Sequence, residues 1–124
     1  MKIEIKLDKQ RIKAIEDAAV RATLQTIDAL HGEVVSAEVM PFDTGDMQNN
    51  QTFTDLQQEN GCVHAKLVTG SPQARRLYYH PEYNFQTVNN ANARGEWLEP
   101  WINGDKKDFV ANTFAENLKK EAGI

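Results

Sequence analysis

The apolar and polar residues of the first forty positions predict a short strand followed by a long helix. Isoleucine and leucine alternate with charged residues over positions 3–7, as expected of a strand with one buried face. Asp8 is a suitable N-cap for the helix that follows. Apolar residues then recur at spacings of three to five, which is the stripe of an amphipathic helix: Ile12, Ile15, Ala19, Ala22, Ile27 and Leu30. Gly32 is a candidate end of this helix, although residues 33–39 could continue it.

A β-hairpin is predicted in the middle of the chain. Residues 51–57 are rich in strand-forming side chains and predict one strand, and residues 62–69 predict a second. Between them, Asn60 and Gly61 form the dipeptide most typical of a two-residue hairpin turn. Alternation in the second strand separates two faces, one of which carries Val63, Ala65 and Leu67.

A short helix and a long loop are predicted to follow the hairpin. Residues 73–79 come after Ser71 and Pro72, which suit the start of a helix. The helix should end at His80, because a residue before proline disfavours helical backbone. Residues 82–100 show little periodicity, and loops of this length are usually functional or disordered.

A C-terminal helix completes the predicted fold. Asp105 is its predicted N-cap, Gly123 its predicted end, and its apolar stripe consists of Val110, Phe114 and Leu118. The chain of 124 residues can bury a core as one domain. We therefore predict a single α+β domain over residues 1–124, in which a small, mostly antiparallel sheet packs against a long N-terminal helix and a C-terminal helix.

Composition limits the functions that are expected. The net charge of −4 disfavours a nucleic-acid binder, which normally carries a basic face. The single cysteine, Cys62, cannot form an internal disulfide, in keeping with a reducing cytoplasm. No apolar run approaches the roughly 20 residues needed to cross a bilayer, and the charged N-terminus does not resemble a signal peptide. We expect a soluble protein, made in the cytoplasm, that binds neither membranes nor specific nucleic-acid sequences.

No set of residues strongly predicts catalysis. The three histidines lack the spacing of metal ligands, and the aspartates after Pro41 lack the repeat of a calcium loop. His80 and Glu82 could act as an acid–base pair, so a small hydrolase that uses them is the enzymatic alternative. We expect no enzymatic activity, no cofactor, no metal and no small-molecule substrate.

Arginine and aromatic side chains form the candidate binding surface. Two arginines and two tyrosines lie on the predicted short helix, and both residue types are common anchors of protein interfaces. The alternative is that one tyrosine packs inward and the arginines form ordinary salt bridges. At least one of the two tryptophans at the end of the loop, Trp97 and Trp101, is expected to close the core. The complete candidate interface is Arg75, Arg76, Tyr78, Tyr79, Tyr83, Phe85 and Trp97.

Two segments of the chain resemble signatures of a known class of proteins. Residues 40–45 have the sequence Met-Pro-Phe-Asp-Thr-Gly, and residues 75–85 have the sequence Arg-Arg-Leu-Tyr-Tyr-His-Pro-Glu-Tyr-Asn-Phe. The first resembles the Pro-x-Asp-Thr-Gly signature of many phage head–tail joining and tail-completion proteins. The second resembles a run in minor capsid proteins of tailed phages and prophages of Gram-positive hosts, and the resemblance extends from residue 41 to the C-terminus. The sequence departs from that family at Leu98, where an aromatic residue is usual.

The resemblance implies a structural role at the neck of a virion, in a ring near the portal or the tail. The implied partners are portal, connector or tail-completion proteins and copies of the chain itself, and no catalysis or cofactor is implied. Aspartic proteases also use Asp-Thr-Gly, but they surround it with apolar residues, whereas residues 46–50 are mostly polar. A toxin or regulator carried by a prophage is the remaining alternative.

Overall fold

The computed structural model describes residues 1–59 and 61–124. The elements follow in the order α1 (Lys9–Ser36), α2 (Asp46–Asn49), β1 (Thr52–Glu59), β2 (Cys62–Thr69), α3 (Ala74–Tyr78), α4 (Glu99–Ile102) and α5 (Phe109–Ala122). The antiparallel sheet of β1 and β2 packs on α1, and α5 packs along α1. The predicted α+β class is confirmed, with a two-stranded sheet in the described part of the chain.

The first helix begins where predicted and continues past its candidate end. Asp8 Oδ1 accepts a hydrogen bond from Arg11 N at 3.1 Å, which caps the helix. Gly32 does not end α1, which ends at Ser36. The buried line of the helix is Ala18, Ala22, Thr26 and Val34. The predicted stripe is wrong at its start, because residues 9–17 are exposed and Ile12 and Ile15 each keep 42% of their surface.

The predicted N-terminal strand is wrong. Residues 1–8 form neither helix nor strand, and Ile3, Ile5 and Leu7 are 79%, 84% and 72% exposed. A strand needs a neighbour that pairs with its backbone. The segment precedes the exposed first turns of α1, where no other described element buries it, so the alternating pattern has no partner among residues 1–59 and 61–124.

The strands of the predicted hairpin are confirmed. β1 pairs with β2 from Thr52 opposite Thr69 to Glu59 opposite Cys62. Of the predicted turn, Asn60 lies outside the described residues, and Gly61 has a φ of 78°, which glycine adopts readily. The face that carries Val63, Ala65 and Leu67 is half-buried, as the alternation predicts.

The predicted short helix is confirmed as α3, whereas the last helix begins later than predicted. Asp105 is not its N-cap, because the amide of Lys106 donates to Pro100 O at 2.9 Å and holds this region in a turn. α5 begins at Phe109 and ends at Ala122, and Gly123, whose φ is 72°, stops it as predicted.

The core lies where the end of α1 meets the segment that returns before α4. Val34 and Met40 are fully buried there, beside Trp97 and Trp101. The tryptophans are 3% and 6% exposed, so both of them close the core.

Candidate protein interface

The helix α3 presents two arginines to solvent. Ser71 Oγ accepts a backbone amide hydrogen bond at 3.2 Å and orders the turn that leads into the helix. Ala74 is buried against the core, which leaves Arg75 and Arg76 exposed. Neither guanidinium forms an ion pair with a carboxylate of residues 1–59 or 61–124. The alternative in which these arginines form ordinary salt bridges is therefore wrong for the described part of the chain.

The two tyrosines at the end of α3 have different surroundings. Tyr78 packs edge-on against Trp97 with ring centroids 4.8 Å apart. Burial raises the pKa of the Tyr78 hydroxyl, and the carboxylates of Glu99 and Glu96 raise it further. Tyr79 packs against Tyr78 at 5.2 Å but is 66% exposed. Tyr78 therefore anchors the helix to the core, as the alternative with one inward tyrosine predicts, and Tyr79 is open to contact.

The loop after α3 begins with stacked rings. His80 lies flat on Tyr83, with centroids 4.7 Å apart and an interplanar angle of 7°, and Phe85 follows at 6.4 Å from Tyr83. Nδ1 of His80 lies 2.6 Å from Oε1 of Glu82, and this hydrogen bond lowers the pKa of the Glu82 carboxyl. Tyr83 is 42% exposed and Phe85 is half-buried, so the stack is held partly against the protein and partly open to solvent.

Asparagine and backbone amides, rather than aromatic rings alone, hold the rest of the loop against the protein. Asn90 is 4% exposed, and its Nδ2 donates to Met40 O at 2.8 Å and to Gln48 Oε1 at 2.7 Å. Three backbone amides continue this attachment: Asn92 N donates to Glu38 O, Arg94 N to Val39 O, and Glu96 N to Tyr78 O. The loop is therefore attached along much of its length within a single chain.

The structure changes two assignments in the candidate interface. The assignment of Trp97 to the interface is corrected, because a side chain that is 3% exposed and packed on Tyr78 cannot meet a partner while the core is intact. Asn90 was missed, although it positions the loop. The chain has asparagines at positions 84, 89, 90 and 92, and nothing in the sequence marks one of them as the buried residue.

Two grooves flank the arginine–tyrosine segment. One has a volume of about 350 Å³, with Met40, Leu67 and Trp97 among its lining residues and Arg75 and Tyr79 beside them. The other, of about 470 Å³, lies between residues 41–47 and residues 84–86. Both grooves are lined in part by residues 40–46 and by residues 74–86.

The structure brings together His80 and Glu82, the acid–base pair of the hydrolase alternative, but in neither of the two grooves. His80 and Glu82 are in contact at the surface, but neither lines either of these grooves. Cys62 is exposed on the hairpin, distant in sequence from the pair. No group of three histidine, cysteine, aspartate or glutamate side chains in the described residues could hold a metal ion.

Comparisons with models of protein families, with curated proteins and with solved structures found no match. Within residues 1–59 and 61–124, no helix is both long and apolar enough to cross a membrane.

Proposed function

We propose that the chain is a structural protein of a phage or prophage virion, a minor capsid or head–tail connector component that acts by protein–protein assembly at the neck. The observation that carries the proposal is the exposed pair Arg75 and Arg76, without ion-pair partners in the described chain, beside the exposed Tyr79. These residues belong to the segment whose sequence resembles minor capsid proteins. Partners would be portal, connector or tail-completion proteins and further copies of the chain, and the protein would pass from the host cytoplasm into the virion.

The attached loop supports this role on energetic grounds. Ordering a flexible backbone costs about 1–2 kcal/mol per residue, which weakens any interface that must first be ordered. Asn90 and the backbone amides after it hold the loop in place before any partner binds. Unpaired guanidinium groups beside such a loop can form two parallel hydrogen bonds with carboxylates of a partner, which adds specificity as well as affinity.

The double variant Arg75→Ala/Arg76→Ala tests the proposal in a phage that encodes the protein. We expect the purified variant to keep the circular dichroism of the wild type, because both side chains are exposed, while complete particles fail to form. Lys119→Ala/Lys120→Ala is the matched control, since it removes the same charge from an exposed part of α5. Infectious particles that contain the arginine double variant at normal yield would contradict the proposal.

A hydrolase is the second candidate, and the 2.6 Å contact between His80 and Glu82 favours it. Purified protein would be incubated with ester, phosphate and peptide substrates. Turnover that is lost in His80→Ala while the variant stays folded would support this candidate; no turnover by the wild type would remove it. For the remaining alternative, neighbouring genes for an antitoxin would favour a toxin or regulator, and genes for portal and capsid proteins would favour the virion role.

A further inference from the structure

The N-terminal segment, residues 1–8, carries an apolar face that nothing in the described chain covers. Ile3, Ile5 and Leu7 are at least 72% exposed. On the other face of the segment, Lys2 Nζ and Glu4 Oε1 form an ion pair at 3.1 Å, as two side chains do when they share one side of an extended backbone. Residues 1–7 make no backbone hydrogen bond to the rest of the described chain. The segment thus has the pattern of a strand without the neighbour a strand requires.

The hairpin offers the missing neighbour, because β1 has an unpaired edge in the described sheet. Gly70 N donates to Gln51 O at 2.8 Å, which makes these two residues a hydrogen-bonded pair in register with the hairpin. Hydrogen-bonded and open pairs alternate in an antiparallel ladder. The backbone groups of Thr54, Leu56 and Gln58 therefore point away from β2, towards the open edge.

Charge and apolar surface both favour the β1 edge. Asp55 and Glu59 lie on β1 with no basic residue among its eight, whereas Lys66 lies on β2. The polar face of the N-terminal segment carries Lys2, Glu4 and Lys6, and this face of net positive charge would meet the acidic face of β1. On the other face, Asp28 of α1 contacts Thr54 at 3.2 Å, and Leu24, one helical turn away, is 42% exposed. An added strand would cover this leucine with its own apolar side chains.

The segment cannot reach the whole of its own β1 edge. Lys9, where α1 begins, lies roughly 28 Å along the helix axis from Asp28, the residue that contacts Thr54. Residues 1–7 span at most about 25 Å when fully extended. Folded back, the segment could not lie beside Thr54. A second copy has no such limit.

We propose that residues 2–7 of one copy add as a third strand to the open β1 edge of a second copy, and that the chain self-associates in this way. The contact is head-to-tail, because the donated segment and the accepting edge are different surfaces. Head-to-tail contacts close into rings or continue as filaments. This inference does not depend on the virion role, since a self-associating protein of another function could use the same contact.

Sedimentation of the purified full chain over the micromolar to millimolar range tests the inference. We expect the wild type to associate with increasing concentration. Ile3→Lys/Ile5→Lys should raise the dissociation constant by about tenfold or more, because the donated face loses its apolar character. Ile102→Lys/Ile124→Lys is the matched control, since these two isoleucines are 57% and 70% exposed and lie outside both surfaces.

A second variant tests the accepting edge. Gln58→Pro removes a backbone donor that points away from β2, so the hairpin should survive while strand addition is blocked. We expect weakened association with unchanged circular dichroism. A wild type that stays monomeric throughout, or unchanged association in both the isoleucine and the proline variants, would overturn the inference. These measurements use no phage particles, so their failure leaves the arginine experiment on the virion role unaffected.

Discussion

Asn90 and Met40 are joined by a hydrogen bond of 2.8 Å between the side-chain amide of the first and the carbonyl oxygen of the second. The two residues are distant in sequence, and both are buried. The second hydrogen of the same amide donates to Gln48 Oε1 on α2, so one side chain satisfies two acceptors. This one amide therefore connects the long loop both to the segment between α1 and α2 and to α2 itself.

Removal of that amide should loosen the loop. We expect Asn90→Ala to lower the free energy of unfolding by about 1–3 kcal/mol, because two buried acceptors lose their donor. Denaturant titration measures the loss, and hydrogen exchange should become faster at the amides of Asn92 and Arg94. Asn89→Ala is the control, since that neighbouring asparagine is exposed. Equal losses of stability in the two variants would show that the hydrogen bonds of Asn90 do not stabilise the protein.

A second prediction separates the core from the candidate interface. Trp97→Ala should lower the free energy of unfolding by about 3–5 kcal/mol, the usual cost of deleting a large buried aromatic side chain. Tyr83→Ala should cost much less, because its ring is 42% exposed. Thermal unfolding of both variants provides the comparison. A Trp97→Ala protein with the thermal stability of the wild type and only an assembly defect would show that Trp97 belongs to the interface.

The N-terminal segment and β2 show why a pattern predicts an element only when a partner exists. Residues 3–7 and residues 62–69 both alternate in polarity, but only the second segment has a strand beside it and a helix beneath it. The hairpin was predictable because its partner is adjacent in sequence. The N-terminal segment was not, since a local pattern does not reveal whether any surface of the chain lies within reach.

The exposed residues of the candidate interface could be predicted from the sequence, but the buried residues that hold them in place could not. Arg75, Arg76 and Tyr79 followed from residue type alone, and the structure leaves them exposed. The burial of Trp97 and Asn90 depends on contacts between distant segments, which a single sequence does not encode as a local signal. The late start of α5 has a local cause instead: Lys106 N donates to Pro100 O, and the capping signal of Asp105 does not reveal this turn.

A third prediction concerns the pH dependence of the contact between α1 and α5. Gln25 and Arg21 donate to the carboxylate of Glu121 at 2.7 Å and 2.9 Å, and these hydrogen bonds lower its pKa in the folded protein. A lowered folded pKa stabilises the protein above the ordinary glutamate range, and that contribution is lost as pH falls towards the folded pKa. The measurement compares urea midpoints at neutral and acidic pH.

Glu121→Gln should therefore flatten the acid side of the pH–stability curve relative to the wild type. Glu116→Gln is the matched control on the same helix, since Glu116 is exposed and forms no ion pair within the described residues. An identical loss of stability at acidic pH in the two variants would show that the contact between Glu121 and α1 does not contribute to the pH dependence.

The last prediction uses two glycines whose surroundings differ. Gly32 lies inside α1, and a Cβ added there would meet no atom within 4 Å. Alanine favours helix over glycine by about 1 kcal/mol, so Gly32→Ala should raise the free energy of unfolding by roughly that amount. Gly45 has a φ of +84°, and a Cβ there would lie 2.6 Å from the ring of Phe42.

Gly45→Ala should instead lower the free energy of unfolding by about 1–2 kcal/mol or more, because a side chain is disfavoured in the left-handed backbone conformation and would crowd the Phe42 ring. Denaturant midpoints of the two variants should move in opposite directions; a loss of stability in Gly32→Ala would mean that α1 is interrupted at Gly32.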